Sequence, residues 1–147
     1  MAETFPPAAE LLPHAGASVL IDTVLEDTED SIRVTACVTP RNPYFVPGLG
    51  LPVWVGIELM AQAIAAHAGL AARRERRPPR AGMLLGTRRF EADAVYFPPG
   101  SELEVRAQRD FGGDGGIAAC ACTILSGDRI LAQATIIIVE IDKEKMT

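Results

Sequence analysis

From Pro52 to Arg77 the chain reads PVWVGIELMAQAIAAHAGLAARRERR, its one long helical stretch, and that stretch is apolar almost all the way round. Alanines occur on every side of it, with Ile57, Leu59, Met60 and Ile64 between them, so such a helix has no wet face and must be wrapped by other elements. Pro52 suits its first turn; Gly69, the arginines and then Pro78 and Pro79 mark its end. What wraps it has to come from the flanking segments.

Those segments carry strand patterns. SVLIDTVLED (Ser18 to Asp27) and SIRVTACVT (Ser31 to Thr39) predict two strands across a short acidic turn, the second alternating Ile32, Val34, Ala36 and Val38 against Arg33, Thr35 and Thr39. PRNPYFVPGLGLP (Pro40 to Pro52), with four prolines and two glycines, predicts an irregular loop. After the helix, AGMLLGTRRFEADAVYF (Ala81 to Phe97) predicts a third strand, Pro98 to Gly100 a turn, and SELEVRAQRD (Ser101 to Asp110) a fourth. FGGDGG and SGD then join GIAACACTIL and RILAQATIIIVE as hairpins. No helical spacer separates the late strands, which excludes an alternating α/β fold. The expectation is a single α+β domain over residues 1–147, an antiparallel six-stranded sheet wrapped around one long central helix. FGGDGG precedes a strand rather than a helix, so it reads as a hairpin tip and not a phosphate loop.

Composition agrees with one packed core: 147 residues, 48% apolar and 22% charged. The first residues carry Glu3 and Glu10, no Lys or Arg, and several prolines, unlike a signal peptide, and no apolar stretch is expected to span a bilayer. The chain is therefore expected to be soluble, cytoplasmic and unconnected with a membrane. Cys37, Cys120 and Cys122 form no CxxC pair and lie near no His, so buried thiols are expected rather than a disulfide or a metal site, and no cofactor is implied. Seven arginines lie between Arg73 and Arg89 with only Glu75 opposing, giving that segment +6 and the remainder −11. An acidic chain whose arginines lack interleaved aromatics is a poor nucleic-acid binder, whereas a basic patch on it suits an acidic protein partner.

Glu58 is the anomaly in the helix. Taking a carboxylate out of water costs several kcal/mol unless it is paired or protonated, so stability does not account for it. Burial disfavours the ionised form of a carboxyl group, and that is the condition of a general acid near neutral pH. The competing explanation is an acid near the helix N-terminus, favoured by the positive dipole end. Each helical residue turns about 100°, so Gln62 lies about 40° from Glu58 on the same face, whereas His67 lies about 180° away.

Several segments resemble those of hotdog-fold 3-hydroxyacyl-acyl-carrier-protein dehydratases. LPHAGASVLIDTV (Leu11 to Val24) resembles the family's LPHRYPFLLVDRV opening, RNPYF (Arg41 to Phe45) its NEPFF segment, LPVWVGIELMAQ (Leu51 to Gln62) its MPGVLQIEALAQ helix start, and FPPGSELEVRAQ (Phe97 to Gln108) its VPGDQLVLEVE turn and strand. The resemblance is closest to the dehydratase-like proteins of aryl-polyene and related polyketide-like gene clusters. It implies a dimer acting on acyl thioesters of an acyl carrier protein, with Glu58 as a catalytic residue and Gln62 matching the family's Gln one turn later. It also implies a catalytic His in a GHFPGNPVMPG loop, which here is shortened to VPGLGLP (Val46 to Pro52) and has none.

Elimination of water from a 3-hydroxyacyl thioester needs a polarised carbonyl, a base for the α-proton and an acid for the hydroxyl. The backbone amides of Val53, Trp54 and Val55 are candidates for the first, and Glu58 for the third. The base is open among His14, Tyr44, a water and a partner chain, which leaves a homodimer and a heterodimer with another hotdog dehydratase both in play. Arg73, Arg74, Arg76, Arg77, Arg88 and Arg89 are the expected carrier-docking residues. Two alternatives remain: a thioesterase using Glu58 as general base on water, and a non-catalytic acyl-binding subunit.

Overall fold

The computed structural model describes residues 4–13, 16–78, 81–110 and 116–141. A short helix α1 (Ala8–Leu11) and a 3₁₀ turn (Gly16–Ser18) lead into β1 (Val24–Asp27) and β2 (Ser31–Cys37). Next come β3 (Leu51–Pro52) and the long helix α2 (Val55–Arg74), followed by β4 (Ala81–Ala92), β5 (Tyr96–Phe97), β6 (Glu102–Asp110), β7 (Ile117–Ser126) and β8 (Arg129–Ile141). Six strands form one antiparallel sheet in the order β1-β2-β6-β7-β8-β4, with α2 across one face, which is the hotdog arrangement.

Period-two alternation builds that face. Ile32, Val34 and Ala36 of β2, Leu103 and Val105 of β6, Cys120, Cys122 and Ile124 of β7, and Ala132, Ala134 and Ile136 of β8 all turn inward and are buried. Against them α2 sets Val55, Leu59, Met60, Ala63 and Ala66, each fully enclosed. The helix is not wrapped on all sides, however. Ile57, Ala61, Ile64, Ala65 and Ala68 form a continuous stripe that the sheet leaves half-exposed. With 20 residues and a mean hydropathy of 1.4, α2 is also long and apolar enough to cross a bilayer by length and composition, contrary to expectation; here it is the core helix of the sheet.

Other expectations are corrected in detail. The first strand contracts to Val24–Asp27, and its pairing with β2 slips within that span between Val24 and Glu26, although Asp22 N–H still reaches the Thr35 carbonyl. The third divides: two register shifts bulge β4 away from β8, and after Ala92 the chain leaves the sheet so that Tyr96–Phe97 pairs with Leu51–Pro52. Pro52 thus belongs to β3, three residues before the helix. Gly50, at φ +110°, admits this pairing, since a Cβ there would lie 2.0 Å from the Phe97 carbonyl oxygen. Gly69 does not end α2; it lies inside, where Leu11 crosses the helix and a Cβ would sit 2.5 Å from the Leu11 carbonyl oxygen. The helix instead ends at Arg74 and is capped by Glu75; beyond the cap Arg76 takes the left-handed conformation (φ 51°), and the N–H groups of Arg76 and Arg77 bond back to the carbonyls of Arg73 and Ala72.

Candidate active site

Because α2 starts at Val55, Glu58 stands in its first turn, closer to the positive end of the helix than the sequence suggested. The dipole therefore contributes to tolerating this carboxylate. Glu58 is half-buried rather than enclosed, and what distinguishes it is its company. One turn on, Gln62 is completely buried; its Oε1 accepts the Leu20 N–H at 2.8 Å, and its amide nitrogen donates to the Ser18 carbonyl at 2.8 Å and to Glu58 Oε1 at 3.0 Å. The bond from Leu20 settles which end of the amide is which: the NH₂ must face Glu58. One side chain thus pins the segment before β1 to the helix and aims the acid.

Glu58 lines a pocket of about 560 Å³. Ala17, Leu20, Pro43 and Val55 supply its aliphatic wall, and Tyr44 and Trp54 its aromatic one. Tyr44 comes from the loop between β2 and β3, where the buried Asn42 shapes a tight turn: its Oδ1 accepts the Tyr44 N–H at 2.9 Å and its carbonyl the Phe45 N–H. The rings of Tyr44 and Trp54 meet edge to face, centroids 5.4 Å apart and planes at 73°. Tyr44 and Glu58 are thereby brought to one cavity, as two candidate residues should be.

Of the three amides proposed for a carbonyl, Val53 is already committed, its N–H donating to the Val95 carbonyl at 2.9 Å. Trp54 and Val55, both on the pocket wall at the helix start, keep that role open to them. His67 is elsewhere: its Nε2 lies 2.9 Å from the Thr28 carbonyl oxygen and 3.8 Å from Asp27 Oδ1, beside the β1–β2 turn. His14 lies outside the described residues. No His lines the pocket among the described residues.

The arginines do not form one free patch. Arg74 reaches the fully buried carboxylate of Asp27 at 2.6 Å, Arg73 stands 3.7 Å from Glu10, and Arg77 pairs with Glu75. Arg76, Arg88 and Arg89 are exposed. Asp27 is the polar residue that sequence reasoning missed, because a strand-end acid gives no sign that it will be enclosed by a helix from the far side of the loop. Cys37 is exposed, contrary to expectation, whereas Cys120 and Cys122 are buried and burial pushes the Cys122 thiol well above its ordinary range. Among the described residues no three His, Cys, Asp or Glu side chains converge as metal ligands would.

The fold is shared with solved structures. The dehydratase heterocomplex ApeI:P from Xenorhabdus doucetiae superimposes with a TM-score of 0.88 at 23% identity over 97% of this chain and 96% of that one. The thioesterase HI1161 from Haemophilus influenzae does so at 0.67 and 17% identity over 96% and 94% of the two chains. A hypothetical thioesterase with coenzyme A from Streptococcus pneumoniae follows at 0.63 and 12% over 80% and 84%. No curated protein matches the sequence. The helix acid, its glutamine and the missing loop histidine sit in a chain whose residues 6–147 match the model of the ApeP-like family, described as ApeP dehydratase, and the protein belongs to that family.

Proposed function

We propose that this chain is the acid-bearing, cytoplasmic subunit of a hotdog dehydratase that removes water from a 3-hydroxyacyl thioester on an acyl carrier protein, in company with a second hotdog chain that brings the base. The observation that carries this reading is Glu58, oriented by Gln62 and facing a largely apolar pocket that no described His lines. In the reaction the partner's base takes the proton from C2, the electron pair moves into the C2–C3 bond, and the C3–O bond breaks. Glu58, as general acid, delivers a proton to the departing hydroxyl, which leaves as water. The Trp54 and Val55 amides face the thioester oxygen as negative charge builds there. The half-exposed stripe from Ile57 to Ala68 gives the second chain an apolar seat beside Glu58, and the solved relative named above is itself a heterocomplex. Arg76, Arg88 and Arg89 are the docking candidates for an acidic carrier.

The test incubates a 3-hydroxyacyl carrier protein with the chain alone and with co-expressed hotdog dehydratases, resolving enoyl product from free acid by mass. Enoyl product formed with a partner and reduced 10²- to 10⁴-fold by Glu58→Gln is expected. Free acid would instead identify a thioesterase, and turnover indifferent to Glu58→Gln would remove Glu58 from the mechanism.

A further inference from the structure

The amide nitrogen of Gln62 serves two acceptors at once, the Ser18 carbonyl at 2.8 Å and Glu58 Oε1 at 3.0 Å. The two hydrogens of a primary amide diverge by about 120°, which sets those oxygens about 5 Å apart. Ser18 is fixed on both sides of that bond. Before it, Gly16, at φ +58°, opens a 3₁₀ turn closed by the Val19 N–H at 3.1 Å; after it, the Leu20 N–H returns to Gln62 Oε1. Ser18 and Glu58 line the same pocket, where Ser18 alone brings an aliphatic hydroxyl. That hydroxyl caps no helix and bonds no other side chain or carbonyl of the described residues, so its donor and both lone pairs are open to whatever enters the pocket. One glutamine therefore holds, side by side, the residue that carries an acid and the residue that carries a neutral hydrogen-bond donor.

We infer that Ser18 is a further substrate-binding residue, its hydroxyl donating to the C3 oxygen of the 3-hydroxyacyl chain while Glu58 approaches the same oxygen as the acid. The inference rests on the pocket being the acyl site, as proposed above. A hydroxyl oxygen has two lone pairs, so it accepts both bonds, and Ser18 keeps its own proton throughout. A site that hydrogen-bonds a substrate hydroxyl rejects the analogue that lacks it, and the enoyl product, having lost that oxygen, loses the bond as well. The experiment uses two probes, 3-hydroxy-2,2-dimethylbutanoyl-pantetheine, whose C2 bears no proton to eliminate, and 2,2-dimethylbutanoyl-pantetheine. Each is titrated by calorimetry into the protein alone and into its complex with the partner that supports turnover. Wild type is expected to prefer the hydroxylated probe, and Ser18→Ala to lower that preference about fivefold. Ser18→Thr should retain most of it, since the hydroxyl is kept. A preference that Ser18→Ala leaves within twofold of wild type overturns the inference, as does a wild-type ratio near one or failure of both probes to bind. Because the probes cannot react, Ser18 can fail while Glu58-dependent dehydration stands, and the reverse.

Discussion

Replacing Gln62 with methionine tests the link between fold and site at one atom cluster. Methionine keeps the volume and the unbranched shape, so packing is nearly preserved while all three hydrogen bonds vanish. The Leu20 N–H is the costly loss: Leu20 is 8% exposed, and an orphaned buried donor costs about 1–3 kcal/mol. The Ser18 carbonyl and the half-buried Glu58 can turn to water, so each adds about 0.5–1 kcal/mol. The sum, roughly 2–5 kcal/mol, is a large share of a typical domain's stability and corresponds, at a urea slope of about 2 kcal/mol/M, to a fall of about 1–2.5 M in the urea midpoint. Turnover should drop about tenfold with little change in KM, since Glu58 loses the side chain that orients it while remaining in place. Urea melts followed by Trp54 fluorescence, together with the enoyl assay, measure both. A midpoint within about 0.3 M of wild type with unaltered kcat would show that the glutamine neither ties the segment down nor aims the acid.

Gly69→Ala gains about 1 kcal/mol of helix propensity yet drives a methyl into the Leu11 carbonyl, so a net loss of about 1–2 kcal/mol and a melting temperature several degrees lower are expected by calorimetry. Arg76→Gly relieves the left-handed backbone at the helix end and should raise stability by roughly 0.5–1 kcal/mol. In the native protein iodoacetamide should label Cys37 alone, slowly because burial and the Asp22 hydrogen bond both raise its thiol, whereas denaturant exposes Cys120 and Cys122 as well; mass spectrometry counts the adducts. The Cys122 thiol also predicts a pH trend. Its folded pKa lies above the unfolded one, so its contribution to stability is intact below about pH 8.5 and declines as pH rises beyond that; stability rising between pH 8 and 10 in wild type but not in Cys122→Ala would contradict the assignment.

The sheet and its helix were legible because alternation along β2, β6, β7 and β8 and the all-apolar α2 each admit one reading. Where the reading failed, a tertiary contact had overruled a local sign. Pro52 looks like a helix start until Tyr96 claims it for a two-stranded ladder, and Gly69 looks like a helix stop until Leu11 is seen lying across it. The arginine cluster is contiguous in sequence, yet Asp27 and Glu10, both distant along the chain, take up part of it. For the site, Glu58 and Gln62 were legible from helical phase alone. The Tyr44–Trp54 contact was not, because it depends on the turn that Asn42 shapes.

The strand order carries a consequence for how the protein assembles. β6, β7 and β8 form a meander of neighbours in sequence, cheap in loop entropy, whereas β2 joins that meander only by pairing Ser31 with Gln108 and its neighbours, across about half of the chain. Ser18, Leu20 and Tyr44, which complete the surroundings of Glu58, belong to this late-joining half. Amide exchange should therefore be fastest at the β1–β2 edge and slowest in β7, and a partial opening of that edge would disarm the acid while the C-terminal sheet stays closed.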